Sequence, residues 1–270
     1  MIKALVPLFF LTLSPALAAP CGADRLGTAR VLTLDAASHP RVGKKHFPQT
    51  LPLARKELVL TFDDGPMPGT TPRVLAALRE QCVSATFFLL GRNAQAHPAL
   101  ARQIRAEGHT IAHHTYTHRL LTRLTPEAAE AEIARGVAAV EEAAFGEKLD
   151  DRPQRFFRFP GFASSPALLS RLEQRRMVVF GADLWASDWN RMTPEQELRL
   201  ILERLERTGG GILLFHDTQP QTAAMLPAFL RALKSRGYKI VHVVPEDAQP
   251  NVAGSPQPAP AKAARRGKCG

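Results

Sequence analysis

The sequence predicts an α/β fold, a distorted seven-stranded TIM-like (β/α) barrel. Three observations lead there. Between residues 57 and 245, short apolar runs alternate with longer amphipathic ones, the pattern of repeated parallel βα units. Most of the apolar runs are too short to be helices. Polar residues with catalytic potential fall at or just past the ends of these runs, and they come from five different ones, as in barrels whose sites gather at one rim.

Taken in order, Leu58–Phe62 reads as the first strand and residues 72–80 as a helix. A second strand spans 85–90, with a helix over 98–107 and a weaker third strand over 109–112. Thr125 followed by Pro126 is a helix-start signal, and the helix it opens runs toward Ala144. Residues 156–159 form a fourth strand, 167–175 a helix and 178–180 a fifth strand. Thr193-Pro194 starts a helix that reaches about Arg207 and ends at the Gly209-Gly210-Gly211 run. A sixth strand over 212–215, a helix over 223–235 and a seventh strand over 240–244 complete the alternation.

Outside this region the chain has three further parts. Residues 1–18 read as a secretory signal peptide. Lys3 is the basic start, Ala4–Ala16 an apolar stretch broken by Pro7 and Pro15, and Ala16-Leu17-Ala18 a small-x-small cleavage pattern. Residues 19–55 are a short N-terminal extension with one candidate strand over 30–34. The catalytic domain is placed at 56–245. The Pro/Ala-rich stretch 246–270 is expected to be a disordered basic tail. No run is long enough to span a membrane. The protein is therefore expected to be exported, to a periplasm or the cell exterior, with a monomer as the default state. Export makes one disulfide among Cys21, Cys82 and Cys269 an expectation, with all three pairings open. The net charge of +10 is concentrated in part in the tail (Lys262, Arg265, Arg266, Lys268), and no nucleic-acid motif accompanies it.

The residues that carry chemistry begin with Asp63-Asp64, in Thr61-Phe62-Asp63-Asp64-Gly65-Pro66 at the end of the first strand. Two adjacent acids repel unless a cation is near. His114 and His118 are four apart, and one helical turn there would aim both imidazoles the same way. Two histidines, one carboxylate and an open position make a catalytic rather than a closed metal site. His109 and His113 are candidates to orient a ligand from behind. His39, His46, His97 and His242 read as surface or hydrogen-bonded residues. Arg158, on an apolar strand, needs an anionic partner, and Asp63 is the obvious one. Asp188-Trp189 offers a carboxylate to hold His216 and an indole to wall a sugar ring. His216 ends a buried strand, where a general acid is well placed. Asp217 reads as a cap for the following helix.

Together these pieces resemble the polysaccharide deacetylase family, the nodulation-protein-B homology domain or carbohydrate esterase family 4. The resemblance covers roughly residues 56–245. Five motifs carry it in the family's order: Thr-Phe-Asp-Asp-Gly-Pro, His-Thr-x-x-His, Arg-x-Pro, Asp-Trp and Leu-x-His. It implies that Asp64, His114 and His118 hold a divalent metal, zinc first, with cobalt or another divalent ion as alternatives. Asp63 would be the general base, oriented by Arg158. His216 would be the general acid, held by Asp188, and the Gly161 amide would bind the oxyanion. Two departures stand out: Gly161 occupies a position where the family usually has Tyr, and His113 one where Asn is common. The implied substrate is an N-acetylglucosamine-containing polysaccharide: chitooligosaccharide, peptidoglycan or an envelope polymer. The alternatives are an O-acetyl esterase and a catalytically silent sugar-binding protein of the same fold.

Overall fold

The computed structural model describes residues 21–146 and 155–246. The leader, nearly all of the 246–270 tail and Cys269 lie outside the described residues. Ten strands form one sheet, and all the pairs within it are parallel. They are β1 (Thr28–Leu34), β2 (Arg41–Val42), β3 (Glu57–Asp63), β4 (Thr86–Leu89), β5 (Thr110–His113), β6 (Arg155–Phe157), β7 (Met177–Phe180), β8 (Leu184–Trp185), β9 (Gly211–His216) and β10 (Lys239–Pro245). The helices are α1 (Thr71–Glu80), α2 (Gly91–Ala96), α3 (Pro98–Ala106), α4 (Pro126–Phe145), α5 (Pro166–Gln174), α6 (Pro194–Thr208) and α7 (Pro220–Ser235). The expected barrel-like α/β fold is present.

One strand of the ring differs from expectation. Strands β3 to β7 pair in sequence, and β9 pairs β3 and β8. The ring thus contains the two-residue β8, which is too short to show a period of two. The 240–244 run, expected as the seventh ring strand, becomes β10. It pairs with β1 and with only the first two residues of β3. The seam between β7 and β8 is bridged by the N-terminal segment. β2 pairs β7, the Lys45 amide donates to the Ala182 carbonyl at 3.0 Å, and Asp183 accepts from the Lys44 amide and the Thr50 hydroxyl.

Alternation sorts the strand residues onto two faces. On β3, Leu58, Leu60 and Phe62 join the large core against the helices, with Leu75 and Leu78 of α1 and Phe229 and Leu233 of α7. Val59 faces the barrel interior with Phe88, Phe156, Val178, Phe180 and Ile212, and Leu34, Val42 and Leu51 of the extension fill the same interior. Helix ends follow local rules. Thr125 and Thr193 cap α4 and α6, Thr193 as a full capping box with Gln196, and left-handed Gly146 and Gly209 stop these helices. Short α2 was not legible in sequence, because Gly-Arg-Asn-Ala-Gln-Ala carries no apolar stripe. A disulfide joins Cys21 to Cys82, choosing one of the three open pairings. No helix among the described residues is long and apolar enough to cross a membrane.

Helix α4 packs tightly under the loop that follows β5. A Cβ built on Gly136 would lie 2.4 Å from the Thr115 carbonyl carbon and 2.7 Å from the Tyr116 nitrogen, both backbone atoms. Gly136→Ala is therefore expected to destabilise the protein by about 1–3 kcal/mol, through overpacking. Chemical denaturation would show this as a lower midpoint at unchanged slope. A midpoint equal to that of the parent would mean that α4 shifts freely.

Candidate active site and metal centre

The site sits where β3, β5, β6 and β9 end. Period-two alternation that sends Phe62 outward turns Thr61 and Asp63 inward. Asp63 is buried, and its Oδ1 accepts from Arg158 Nη1 at 2.7 Å. Arg158 has no exposed surface. Its guanidinium also donates to Thr61 Oγ1 at 2.9 Å and the Gly181 carbonyl at 2.9 Å, and it lies 4.2 Å from the Phe88 ring centroid. An arginine so enclosed keeps its charge because each part of the fork has a partner. Burial pushes the Asp63 carboxyl up from its ordinary value, and the Arg158 charge pulls against that rise.

The second carboxylate is arranged differently. Asp64 has a φ of 76°, in the left-handed region. Its Oδ1 is 3.5 Å from both His114 Nε2 and His118 Nε2. One ligand atom from each of the three residues lies within 4.8 Å of the others. Asp64 Oδ1 is buried without a hydrogen-bond partner, a costly state for a carboxylate oxygen unless a cation meets it. His114 Nδ1 contacts the Arg158 carbonyl at 2.7 Å, which makes that nitrogen the N–H donor and leaves Nε2 as a lone pair facing Asp64. Burial holds His114 down at about 3, so its imidazole is neutral. These features fit a divalent metal.

The expected helical turn over 114–118 is absent. The segment is a loop in which Thr115 and His118 both take φ of 67°, and the His118 amide donates to Thr115 Oγ1 at 3.2 Å. Left-handed φ at a β-branched residue is rare, and here it falls inside the loop that carries the candidate ligands. The rings meet because the backbone folds back, bringing their centroids to 5.0 Å. Two other expectations also fail. Neither His109 nor His113 supports a ligand: His109 Nδ1 accepts from the Ala85 amide, and His113 faces Glu141 on the outer side of the sheet. Asp217 does not cap α7, whose N-cap is Gln219. It is buried, and it accepts from Thr71 Oγ1 at 2.5 Å.

Across from Asp63, His216 Nδ1 donates to Asp188 Oδ1 at 2.8 Å, and its Nε2 lies 4.0 Å from Asp64 Oδ2. Burial alone would lower the His216 pKa. The hydrogen bond and charge of Asp188, with Asp63 and Asp64 nearby, outweigh it and raise the imidazole to about 9. Trp189 is 51 % exposed and meets the His216 ring edge-on at 5.9 Å, as a wall beside the site. Gly161 lies in the turn after β6 with φ of 56°.

Behind Asp188 stands a pair that sequence reasoning missed. Thr222 Oγ1 is 2.9 Å from Asp188 Oδ2 and 2.9 Å from Glu197 Oε1. A hydroxyl carries one hydrogen, so it donates to one carboxylate. The second contact holds only if the other carboxyl is protonated and donates to the hydroxyl. Asp188 already accepts from the His216 amide and ring, whereas Glu197 Oε2 has no partner, so the proton belongs on Glu197. Burial and the Asp188 charge raise Glu197 to about 7, in keeping with this. Both residues sit on amphipathic helices, where Glu and Thr read as surface positions.

Known proteins share this fold and its sequence pattern. Residues 51–179 match the polysaccharide deacetylase family. The chain is 32% identical over 201 residues to a peptidoglycan-N-acetylglucosamine deacetylase of Bacillus cereus, covering 72% of this chain and 89% of that protein. It is 33% identical over 199 residues to a chitooligosaccharide deacetylase of Rhizobium leguminosarum bv. trifolii, covering 68% and 89%. Among solved structures, a peptidoglycan deacetylase of Bdellovibrio bacteriovorus superposes with a TM-score of 0.72 at 33% identity, over 85% of this chain and 61% of that one. The chain belongs to the polysaccharide deacetylase family, carbohydrate esterase family 4.

The raised Glu197 carboxyl has a consequence for stability. The folded state holds a proton there that the unfolded chain releases near its ordinary value of 4.5. Stability therefore falls as pH rises from about 4.5 to about 7. Glu197→Gln, which keeps a donor for Thr222, is expected to remove part of that fall. Denaturation midpoints measured across this range would check it, and a slope identical to the parent's would place the proton elsewhere.

Proposed function

We propose that the protein is an exported, metal-dependent hydrolase that removes N-acetyl groups from N-acetylglucosamine-containing polysaccharide. The observation that carries this reading is the pair of opposed proton-handling groups around one ligand set. The free oxygen of Asp63 lies 3.8 Å from His114 Nε2, and His216 Nε2 lies 4.0 Å from Asp64 Oδ2. Asp64, His114 and His118 would hold the metal, and two imidazoles with one carboxylate suit zinc or cobalt. When bound, the metal would supply Lewis acidity to the acetyl carbonyl and to water.

The chain's own groups account for the proton transfers. Asp63 takes a proton from the attacking water through Oδ2, while Arg158 holds Oδ1 and fixes the carboxylate plane. The attack makes a tetrahedral centre whose oxyanion would accept a hydrogen bond from the Gly161 amide. His216 donates from Nε2 to the sugar nitrogen as the C–N bond breaks, and Asp188 stabilises the charged imidazolium it starts from. Acetate and a free amine leave. The basic, interrupted apolar leader supports export, as does the Cys21–Cys82 disulfide, since such bonds persist in oxidising compartments. Trp189 offers an apolar face to the acetylated ring.

The protein stripped with chelator and then resupplied with zinc or cobalt is expected to release acetate and amine in equal amounts from N-acetylglucosamine oligomers or peptidoglycan. Asp63→Asn should lose at least about a hundredfold in kcat while keeping its metal content. Acetate without new amine would identify an O-acetyl esterase, and near-normal turnover in Asp63→Asn would remove Asp63 as the base. A second expectation concerns pH. Asp188 raises His216, so Asp188→Asn lowers the pH at which the imidazole loses its proton. The alkaline limb of the kcat profile should move toward acid, and an unmoved limb would mean that His216 is not the acid being read.

A further inference from the structure

The N-terminal segment that bridges the β7–β8 seam also brings an aromatic ring to the rim of the site. His46 stacks on Phe162 with ring centroids 3.8 Å apart and planes 20° from parallel. Trp185 lies 6.2 Å from His46 and 6.3 Å from Phe162, Trp189 lies 6.1 Å from Trp185, and His216 lies 5.9 Å from Trp189. Trp189, Trp185, Phe162 and His46 thus extend outward from the proposed acid, His216. His46 is exposed, and Phe162 and Trp185 are half-buried.

The row is held in place by the fold. The Gly181 amide donates to the Val42 carbonyl at 2.7 Å and the His46 amide donates to the Gly43 carbonyl at 3.1 Å. A Cβ on Gly181 would meet His46 Nδ1 at 3.0 Å, and one on Gly43 would meet Gly181 and Ala182 backbone at 2.6 Å. The glycine pair lets the segment seat directly on the strand end whose carbonyl binds Arg158. Lys45 Nζ is 5.1 Å from the Trp185 centroid, a cation–π contact that steadies that ring. His46 lies outside residues 51–179, where the family match falls. Phe162 follows Gly161, the position at which the family's usual aromatic side chain is missing.

Aromatic rings that are exposed or half-buried and fixed by backbone contacts suit the apolar C–H face of a pyranose ring, with hydroxyls left to solvent. We propose that His46, Phe162 and Trp185 form a saccharide subsite that binds a neighbouring sugar of the polymer while the acetylated one sits between Trp189 and His216. The proposal rests on the deacetylase reading for the second sugar, not for the binding itself. It makes the enzyme favour oligosaccharides over monosaccharides, and it assigns part of that choice to the N-terminal extension.

The chain has two tryptophans, Trp185 and Trp189, both in the row. In the full chain carrying Trp189→Phe, fluorescence reports Trp185 alone. Titration with chitotetraose and with soluble peptidoglycan fragments is expected to give saturable quenching with at least one of them, and none with N-acetylglucosamine at the same concentration. His46→Ala and Phe162→Ala should each weaken that binding about tenfold, and His46→Ala in the otherwise unaltered chain should raise KM for the bound oligomer similarly with kcat unchanged. Oligomer binding and KM unaffected by His46→Ala, in a variant whose denaturation midpoint matches the parent's, would overturn the subsite. So would the absence of quenching with both oligomers. Quenching that is lost in His46→Ala, in a chain that releases no acetate under any metal, would uphold the subsite and sink the deacetylase reading instead.

Discussion

A full positive charge inside a barrel is costly to bury, and Arg158 is buried completely. Its side-chain partners come from two strand ends: Asp63 and Thr61 on β3, and the Phe180 and Gly181 carbonyls at the end of β7. Its own carbonyl accepts from His114 after β5. One residue, through its side chain and its carbonyl, therefore ties Asp63, His114 and the seam-closing corner to a common frame. Such a pair adds little net stability, because desolvation consumes most of the attraction, but losing one partner costs about 3–5 kcal/mol. What it contributes is placement. The Asp63 carboxylate cannot rotate without breaking the bond at Oδ1, so Oδ2 stays turned toward the site.

The opposite wall uses another solution. Asp188 is also buried, and it receives the backbone amide and ring of His216 together with the Thr222 hydroxyl. Its charge is balanced by hydrogen bonds and by the imidazole rather than by a guanidinium. Two carboxylates of one type are thus set to different tasks by their donors. Asp63 keeps one oxygen without a hydrogen bond, and Asp188 has both oxygens occupied.

Much of the site was legible in the sequence because polar residues interrupt apolar runs there. Asp63, Arg158 and His216 each stand inside or at the end of a strand whose neighbours are Phe, Leu or Ile, so their polarity demanded an explanation. The loop of the candidate metal ligands was only half legible. The spacing of His114 and His118 was visible, but a helical turn is not what aligns them, because positive φ at Thr115 and His118 comes from tertiary contacts rather than from residue preference. Glu197 and Thr222 gave no signal, since a polar residue on an amphipathic helix defaults to the solvent face. His46 sits in a polar, turn-rich segment, and only the docking of Gly43 on Gly181 places it beside Phe162. On the scale of the fold, the two-residue β8 escaped for want of a period, and β10 was misassigned because a buried strand inside a ring and one beside it have the same composition.

The pairing of β1 with β10 has a consequence for how the chain folds. The register joins Thr28 to Ile240 and Leu34 to Pro245, so the first strand finds its neighbour only in the last one. Contacts of such sequence separation are slow to form, because a long loop must close before they add stability. During synthesis β1 has no partner among the described strands until β10 emerges. A chain of this kind completes its sheet late.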